Sequence, residues 1–206
     1  LTNEFRKRLG ELKRLSHVKG KTVQLHPLAA AGMEEFFSAI PSLQKNAVWN
    51  DVKKRIDAAR DYKAPAPKGF IGDLRDYQFE GYDWLARTAK WGVGCCLADD
   101  MGLGKTIQAL ALLLLRADQG PSLVVAPTSV CFNWEREAAK FAPTLNIKRI
   151  QQISTGSGLS KTERDKLISS VKKRDVLITS YTLLQQEIDL FKTKKYATVI
   201  LDEAQA

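Results

Sequence analysis

The sequence predicts an α/β fold in which helices flank a parallel sheet and a small, mainly helical region precedes them. From Leu74 onward, short apolar segments alternate with amphipathic segments, as strands and helices do in parallel α/β proteins. One apolar segment leads into a glycine-rich loop, and the last one ends in two carboxylates. With 206 residues, 44% of them hydrophobic, the chain is long enough to bury such a core.

Charge and composition narrow the class of partners. The net charge of +9 favours a polyanionic partner such as nucleic acid, although a solvated basic surface has the same composition. No apolar run reaches the roughly 18 residues of a membrane span, so no membrane contact is expected. The chain starts without a leader pattern, so secretion is not expected either. The three cysteines lack metal-ligand spacing and are predicted to be small buried residues in a reducing compartment.

The first part of the chain, residues 1–62, is predicted to be mainly helical because its apolar residues recur at helical spacing. Three helices are predicted there, over Leu1 to Leu12, Met33 to Ile40 and Val48 to Ala59. Residues 63–72 begin with KAPAPKGF, a composition that resists both helix and central strand and predicts a linker. Residues 73–206 are then predicted to form the α/β lobe.

Five apolar segments of this lobe are predicted strands, and helices fill the gaps between them. The predicted strands are Val93–Ala98, Ser122–Ala126, Ile147–Ile150, Val176–Ser180 and Thr198–Leu201. One helix is predicted to begin at Lys105 and to end near Gly120. Another helix is predicted to begin at Ser160, because Ser160 and Glu163 have the spacing of a capping box.

The glycine-rich loop LADDMGLGKTIQ follows the first predicted strand and precedes a predicted helix, the setting that a phosphate-binding loop requires. In the pattern G-x-x-x-x-G-K-[ST], Gly104, Lys105 and Thr106 match, whereas Asp99 stands at the first glycine and Gly102 supplies flexibility. Backbone N–H groups at the helix start would hold phosphate oxygens, and Lys105 would neutralise the β/γ charge. The Thr106 hydroxyl would ligate Mg²⁺. ATP with Mg²⁺ is the predicted cofactor.

The last predicted strand ends in Asp202 and Glu203, at the edge where parallel sheets place ligands. Asp202 is predicted to hold Mg²⁺, directly or through water. Glu203 is predicted to orient and deprotonate the attacking water, a general-base role typical of hydrolysing ATPases. Together with Lys105, this pair predicts ATP hydrolysis by the intact protein.

Four segments, in order, resemble the Swi/Snf-type motors of helicase superfamily two, which are double-stranded DNA translocases and chromatin remodellers. They are LADDMGLGKTIQALALL, SLVVAPTSVCFNWERE, DVLITSYTLL and VILDEAQA. The resemblance covers about Leu74 to Ala206 and implies a RecA-like phosphate-loop NTPase lobe with DEAD/DEAH-like carboxylates. In that family acidic residues precede Met-Gly-Leu-Gly-Lys-Thr, so Asp99 belongs to the family's own loop. Gln205, where histidine is more frequent, resembles bacterial members.

The resemblance also implies roles for polar residues outside the loop. Gln78, in LRDYQFEGYDWL, has the position expected to hydrogen-bond adenine, and a side-chain amide offers both the donor and the acceptor that this base needs. Residues after two of the strands are implied to contact the DNA backbone, and the alternative of helix capping by Ser129 and Ser180 is compatible with that role. The implied contacts are Pro127, Thr128, Ser129, Asn133, Thr179 and Ser180.

The resemblance therefore predicts the ATP-binding lobe of a DNA-dependent ATPase that translocates on double-stranded DNA and remodels protein–DNA complexes. A second RecA-like lobe of the same chain is the implied partner, so the 206-residue segment alone is expected to bind nucleotide weakly and to be inactive. Two alternatives stay open: an RNA or single-strand helicase lobe, and a nucleotide-gated protein-interaction module that recruits a protein through Leu1 to Arg60. The expected location is the bacterial cytoplasm, at the nucleoid, or the nucleus of a eukaryote.

Overall fold

The computed structural model describes residues 46–150 and 159–205, the strands Ser16–Lys19 and Thr22–Leu25, and the single positions Gly10, Ala29 and Gly32. The chain forms two compact units. One comprises Leu1–Lys63 and Arg87–Cys95, and the other comprises Ala64–Ala86 and Cys96–Ala206. Among the helices in these described ranges, none is long and apolar enough to cross a membrane.

In the first unit, strands β1 (Ser16–Lys19) and β2 (Thr22–Leu25) form an antiparallel pair in which Val18 lies opposite Val23. No strand pair was predicted in this region, and its mainly helical character stays a prediction. Its two strands are separated by only two residues, one of them a glycine, which is a hairpin signal in the sequence.

Helix α1 (Ala47–Arg60) confirms the third helix predicted for this region. The Asn46 side chain accepts a hydrogen bond from the Trp49 N–H at 2.9 Å and so caps the helix. Of the apolar residues that predicted it, Val52 and Ala59 are buried. The two other predicted helices, over Leu1 to Leu12 and Met33 to Ile40, lie outside the described residues apart from Gly10.

The second unit contains a four-stranded parallel sheet with the strand order β4-β5-β3-β6. Its strands are β3 (Ser122–Ala126), β4 (Asn146–Arg149), β5 (Asp175–Ser180) and β6 (Thr198–Leu201). The central strand β3 pairs with β5 on one side and with β6 on the other. Four of the five predicted strands are thereby confirmed, with ends that differ by at most one residue.

Six helices follow α1 in the described part of the chain. They are α2 (Asp76–Trp91), α3 (Lys105–Arg116), α4 (Thr128–Phe141), α5 (Lys161–Ser170), α6 (Tyr181–Gln186) and α7 (Ile188–Lys192). A 3-10 turn, Ala117–Gln119, continues α3. The predicted capping box of α5 is confirmed, since Ser160 and Glu163 cap each other's backbone N–H groups.

Helices cover both faces of the sheet, as the α/β prediction requires. Because side chains alternate along a strand, Val124 and Ala126 join the core beside α3 and α4, where Leu113 and Trp134 are buried. Leu123 and Val125 belong to the second core, on the opposite face. That core is completed from α5, α6 and α7 by Ile168, Leu183 and Phe191. The buried apolar runs of β3 and β5 are those of a sheet enclosed between two helical layers.

The predicted strand Val93–Ala98 is wrong, because these residues form neither strand nor helix. A strand is stable only when its backbone groups pair with a neighbouring strand, and an apolar run alone does not supply one. Two of the three cysteines lie in this segment, and both Cys95 and Cys96 are exposed. The prediction of buried cysteines is confirmed only for Cys131.

Residues 63–72, the predicted linker, contain no helix or strand. From Ala64 onward they belong to the second unit. The Tyr82 hydroxyl donates a hydrogen bond to the Pro65 carbonyl at 2.8 Å. The ring of Phe70 stacks on Phe141 with 5.8 Å between centroids. The proposed boundaries at residues 62 and 72 stay predictions, but the segment from Ala64 is held in place by side chains of α2 and α4.

Candidate functional site

The predicted functional residues gather at the carboxyl ends of the parallel strands. Pro127 follows β3, Ser180 ends β5 and Asp202 follows β6. The register places Ala126 opposite Ser180, and Val125 opposite the last residue of β6. The sheet therefore brings the two predicted DNA-contacting segments next to the predicted metal-binding carboxylate.

The phosphate-binding loop runs into α3 through two glycines in the left-handed conformation. Gly102 has φ 85° and Gly104, the residue before α3, has φ 81°. A residue with a side chain rarely adopts this conformation, so the loop needs glycine at both places. No side chain caps the helix start at Gly104, which leaves its first-turn N–H groups free for an anion.

The Lys105 ammonium lies within this loop. It donates hydrogen bonds to the carbonyl oxygens of Asp99, at 2.7 Å, and Asp100, at 3.1 Å. These carbonyls are uncharged and do not neutralise the ammonium. A negatively charged phosphate oxygen would therefore be a stronger acceptor. The helix start, the two left-handed glycines and Lys105 together fit a nucleotide phosphate. The geometry agrees with the loop prediction, whereas the individual binding roles stay predictions.

Gln78 joins α2 to the phosphate-binding loop. Its side chain is buried, and its amide nitrogen donates to the Leu103 carbonyl at 3.2 Å. Its amide oxygen accepts from the Arg75 N–H at 3.0 Å. A Cβ on Gly104 would lie only 2.5 Å from the Gln78 amide nitrogen, so the loop approaches this amide closely. The predicted contact with adenine would therefore use an amide that the protein has already oriented.

A cavity of about 540 Å³ lies beside the phosphate-binding loop. It is lined by Tyr77, Glu80, Gly81, Trp84, Cys96, Leu97, Ala98, Asp99 and Leu103. This volume is within the range of small-molecule sites. The partly exposed rings of Tyr77 and Trp84 offer flat apolar surface on which a base can stack.

Gln108, one turn into α3, is a residue that the sequence reasoning missed. It is completely buried, and within the described residues neither atom of its side-chain amide has a hydrogen-bond partner. Its oxygen lies against α2 at Gly81, where an added Cβ would be 1.9 Å away. Gly81 is therefore required for the approach of α2 to α3. A polar residue inside the apolar run that ends in ALALLLL was the available signal.

Asp202 is held by three hydrogen bonds. Its backbone N–H donates to the Val125 carbonyl at 2.8 Å. The buried indole of Trp134 donates to the carboxylate at 2.8 Å, and the Tyr181 hydroxyl donates to the Asp202 carbonyl at 2.9 Å. The indole takes one carboxylate oxygen and leaves the other for a metal ion or water.

Sequence reasoning missed Trp134 and Tyr181. Trp134 recurs with Cys131 and Ala138 at helical spacing and is indistinguishable from an ordinary core residue, whereas Tyr181 stands beside the predicted contact Ser180. Burial, and then the negative charges of Asp202 and Glu203, raise the pKa of Tyr181. Its hydroxyl therefore stays protonated at neutral pH and can donate.

Glu203 has φ 51°, a left-handed conformation that is uncommon for a residue with a side chain. Its carboxylate accepts a hydrogen bond from the Gln205 side chain. Such a conformation needs support from neighbouring contacts. The hydrogen bonds to Asp202, the residue before Glu203, supply that support.

The predicted magnesium ligands, Thr106 and Asp202, are oxygen donors on two segments. Such ions are commonly held by one or two protein oxygens together with phosphate and water. Within the described ranges there is no cluster of three or more His, Cys, Asp or Glu side chains that would bind a metal alone. The donor set therefore fits a metal that arrives with a nucleotide.

The helix α4 exposes three of the predicted DNA contacts, Thr128, Ser129 and Asn133. Pro127 is half-buried and stands before the first turn without a capping side chain, so Ser129 does not cap this helix. These groups are available to a partner at the helix start.

Ser180 and Thr179, the predicted contacts of β5, differ from each other. Ser180 is half-buried, and its hydroxyl accepts from the Leu183 N–H at 3.2 Å, which confirms the capping alternative for this residue. Thr179 is completely buried, and its hydroxyl has no hydrogen-bond partner in the part of the chain that the structure describes. Complete burial does not favour a direct DNA contact by the Thr179 side chain, and this contact stays a prediction.

The parallel sheet, the loop before α3 and the carboxylates after β6 define a phosphate-loop nucleotide-binding lobe of the RecA-like class. Residues 77–206 match the family described as the SNF2-related domain. The chain belongs to this family.

Relatives from fungi and from bacteria support this family membership. The chromatin-remodeling ATPase INO80 of Pyricularia oryzae is 34% identical over 197 residues, 87% of this chain and 10% of the relative. The YwqA protein of Bacillus subtilis is 40% identical over 140 residues, 66% of this chain and 14% of the relative. Because relatives are both fungal and bacterial, the predicted bacterial origin stays a prediction.

A solved structure described as the Sulfolobus solfataricus SWI2/SNF2 ATPase core in complex with dsDNA is similar with a TM-score of 0.57 and 34% identity. The match covers 70% of this chain and 29% of that chain. The chain thus spans only about a tenth to a seventh of the curated relatives, which are 10% and 14% covered.

Proposed function

We propose that this chain is the ATP-binding lobe of a DNA-dependent ATPase that translocates on double-stranded DNA and remodels protein–DNA complexes. The observation that carries the proposal is the phosphate-binding loop, with Lys105 at the start of α3, in the same lobe as Asp202 and Glu203 at the end of β6. Family membership over residues 77–206 supports it. Such a protein would act in the bacterial cytoplasm, at the nucleoid, or in a eukaryotic nucleus.

Each residue of the site has a separable task in this proposal. The first-turn N–H groups of α3 and the Lys105 ammonium hold the phosphates, and the Gln78 amide together with the flat walls of the cavity holds the base. Thr106 and Asp202 would hold magnesium, which would supply positive charge to neutralise the phosphates. Glu203 accepts the proton of the attacking water.

Binding of double-stranded DNA is supported by the exposed polar groups at the start of α4 and by the basic net charge of +9. The similar Sulfolobus solfataricus core was solved in complex with dsDNA. We assign Pro127, Thr128, Ser129, Asn133 and Ser180 to the DNA backbone. A DNA-bound protein complex is the substrate that remodelling implies.

The share of the relatives that the chain covers supports a second RecA-like lobe in the whole protein. In motors of this kind a group from outside the first lobe completes the catalytic site. The 206-residue chain by itself would then bind ATP weakly and hydrolyse it slowly or not at all.

The test is phosphate release by the whole protein that contains this chain, measured alone, with duplex DNA, and with single-stranded RNA. Strong stimulation by duplex DNA is expected. Stimulation by RNA alone would replace the proposal with an RNA helicase lobe. A basal rate that no nucleic acid changes, together with a protein complex that forms only with ATP, would favour the nucleotide-gated interaction module.

A further inference from the structure

The residue proposed to bind the metal, Asp202, contacts both segments proposed to bind DNA. Trp134 belongs to α4, the helix that begins with Thr128, and its indole reaches the Asp202 carboxylate. Tyr181 directly follows Ser180, and its hydroxyl reaches the Asp202 carbonyl. Two elements that present groups to DNA on the outside therefore meet at one catalytic residue inside.

The contact from Trp134 is well suited to position the carboxylate. The indole is only 2% exposed, so its N–H donates in surroundings where water does not compete. It lies on the same helix as Asn133, which is exposed. Helix α4 has 14 residues, about four turns, and is stiff at this scale, so a displacement of the DNA-facing groups moves the indole as well.

The contact from Tyr181 acts on the backbone of the same turn. Its hydroxyl donates to the Asp202 carbonyl, immediately before Glu203, the residue with the left-handed φ of 51°. Such a conformation persists only where its surroundings determine it. The orientation of the proposed general base therefore depends on the segment that carries Ser180.

We infer that Trp134 and Tyr181 are positioning residues, which hold Asp202 and Glu203 in place for catalysis and transmit DNA occupancy to them. This inference rests on the proposed function. Their effect is exerted through the Asp202 carboxylate and the turn that follows it.

The experiment uses the whole protein with Trp134→Phe or Tyr181→Phe, which remove a single donor each. Binding of Mn²⁺ in the presence of ADP, followed by paramagnetic resonance, reports on the carboxylate without turnover. We expect Trp134→Phe to weaken Mn²⁺ binding by about 10- to 100-fold, the usual effect of removing an outer partner of a metal ligand. For Tyr181→Phe we expect a loss of about 2- to 10-fold in DNA-stimulated turnover, because its bond is to a neutral carbonyl.

Two further measurements separate positioning from folding. Affinity for duplex DNA without nucleotide is expected to stay within roughly twofold in both variants, since hydrogen bonds to Asp202 are not DNA contacts. Tyr196→Phe is the matched control, because Tyr196 is a largely buried tyrosine whose hydroxyl has no hydrogen-bond partner in the described residues. If Trp134→Phe fails to fold, the milder Tyr181→Phe decides the question through the same readouts.

The inference is overturned if both variants match Tyr196→Phe in Mn²⁺ binding and in DNA-stimulated turnover. It is also overturned if DNA affinity falls in parallel with turnover, since the residues would then serve DNA binding or folding. Failure of the proposed function looks different: the unmodified protein would show no stimulation by duplex DNA. In that case weakened Mn²⁺ binding by Trp134→Phe still supports its positioning of Asp202, and unchanged binding overturns it.

Discussion

The amino ends and the carboxyl ends of the four parallel strands are held by different chemistry. At the amino ends, Asp175 is 1% exposed and accepts hydrogen bonds from the side chains of Lys148, at 2.8 Å, and Asn146, at 3.1 Å. Arg116 donates to the Ala197 carbonyl at 2.7 Å just before β6. The first two bonds connect β4 to the start of β5, and the third connects the end of α3 to the residue before β6. None of them involves a predicted functional residue.

At the carboxyl ends the polar groups are held by contacts within the protein, but part of each remains available to a ligand. The indole of Trp134 uses one oxygen of Asp202, and the Lys105 ammonium rests on backbone carbonyls that a phosphate would replace. Thr128 and Ser129 are exposed. The sheet thus separates its stabilising contacts from its functional ones along the strand direction, so mutations at the two ends should have different signatures.

The largest expected effect is at the carboxyl end. Lys105→Ala removes the only charged donor we assign to the phosphates, and we expect ATP affinity to fall by about 100-fold, to an unmeasurable level for a weakly binding chain. Titration calorimetry with ATP is the measurement. The exposed Lys173→Ala is the control. Retained ATP affinity would refute the phosphate-loop assignment, and the free energy of unfolding should change little because the lysine's present contacts are exposed.

At the amino end the expected effect is on stability and depends on pH. Burial raises the pKa of Asp175, but hydrogen bonds from Lys148, the Lys172 N–H and Asn146 outweigh it, so the folded-state pKa lies below its usual value. This stabilisation is present above the unfolded-state pKa of about 3.9 and is lost as the pH falls through the folded-state pKa. Asp175→Asn should therefore lower the free energy of unfolding by about 1–3 kcal/mol at pH 7.

Urea unfolding at pH 7 and near pH 3 tests this sign, because the difference between Asp175→Asn and the unmodified chain should shrink at the lower pH. Asp189→Asn is the control, since the Asp189 side chain is 96% exposed and its Lys192 partner is 3.9 Å away. Equal destabilisation by Asp175→Asn at both pH values would show that the carboxylate charge is not the cause.

A smaller effect is expected where α2 meets α3. Gly81→Ala would place a methyl group 1.9 Å from the Gln108 oxygen, and overpacking of this kind costs about 1–2 kcal/mol. The double variant Gly81→Ala with Gln108→Ala should recover much of that loss in urea unfolding. If the double variant is no more stable than Gly81→Ala, the close approach to Gln108 is not what selects glycine at position 81.

The smallest effect is expected at Ser180, which makes a stabilising contact and is also assigned to DNA. Ser180→Ala removes the cap of α6 and should lower the free energy of unfolding by about 1 kcal/mol. In the whole protein we also expect duplex DNA affinity to fall by about 2- to 10-fold, the contribution of one hydrogen bond. The exposed Thr182→Ala serves as the control for both measurements. A change in stability without a change in DNA affinity would restrict Ser180 to capping.

Much of the sheet could be predicted because burial on both faces produces continuous apolar runs. Ser122–Ala126 and Thr198–Leu201 were predicted to the residue. Val93–Ala98 has a similar composition, but whether a run becomes a strand depends on a neighbour that a local pattern does not contain. The β1–β2 pair was missed although its two-residue connection with Gly20 is a hairpin signal.

In the candidate site, too, the sequence located some residues and missed others. Lys105 and Asp202 belong to motifs whose spacing carries their chemistry, so sequence alone located them. Trp134 and Gln108 act through long-range contacts, with Asp202 and with Gly81, that no spacing within one helix encodes. Thr179 is the opposite case, since the sequence predicted it as a contact and the structure buries it completely.

Strand β6 has a practical consequence for anyone who prepares this chain. Among the described residues it pairs with β3 alone, and its side chains of Val199 and Leu201 are each 54% exposed. A sheet margin with unsatisfied backbone groups and apolar side chains recruits further strands from other molecules, which leads to aggregation in concentrated samples. A gatekeeper charge such as Val199→Lys should then reduce aggregation during purification.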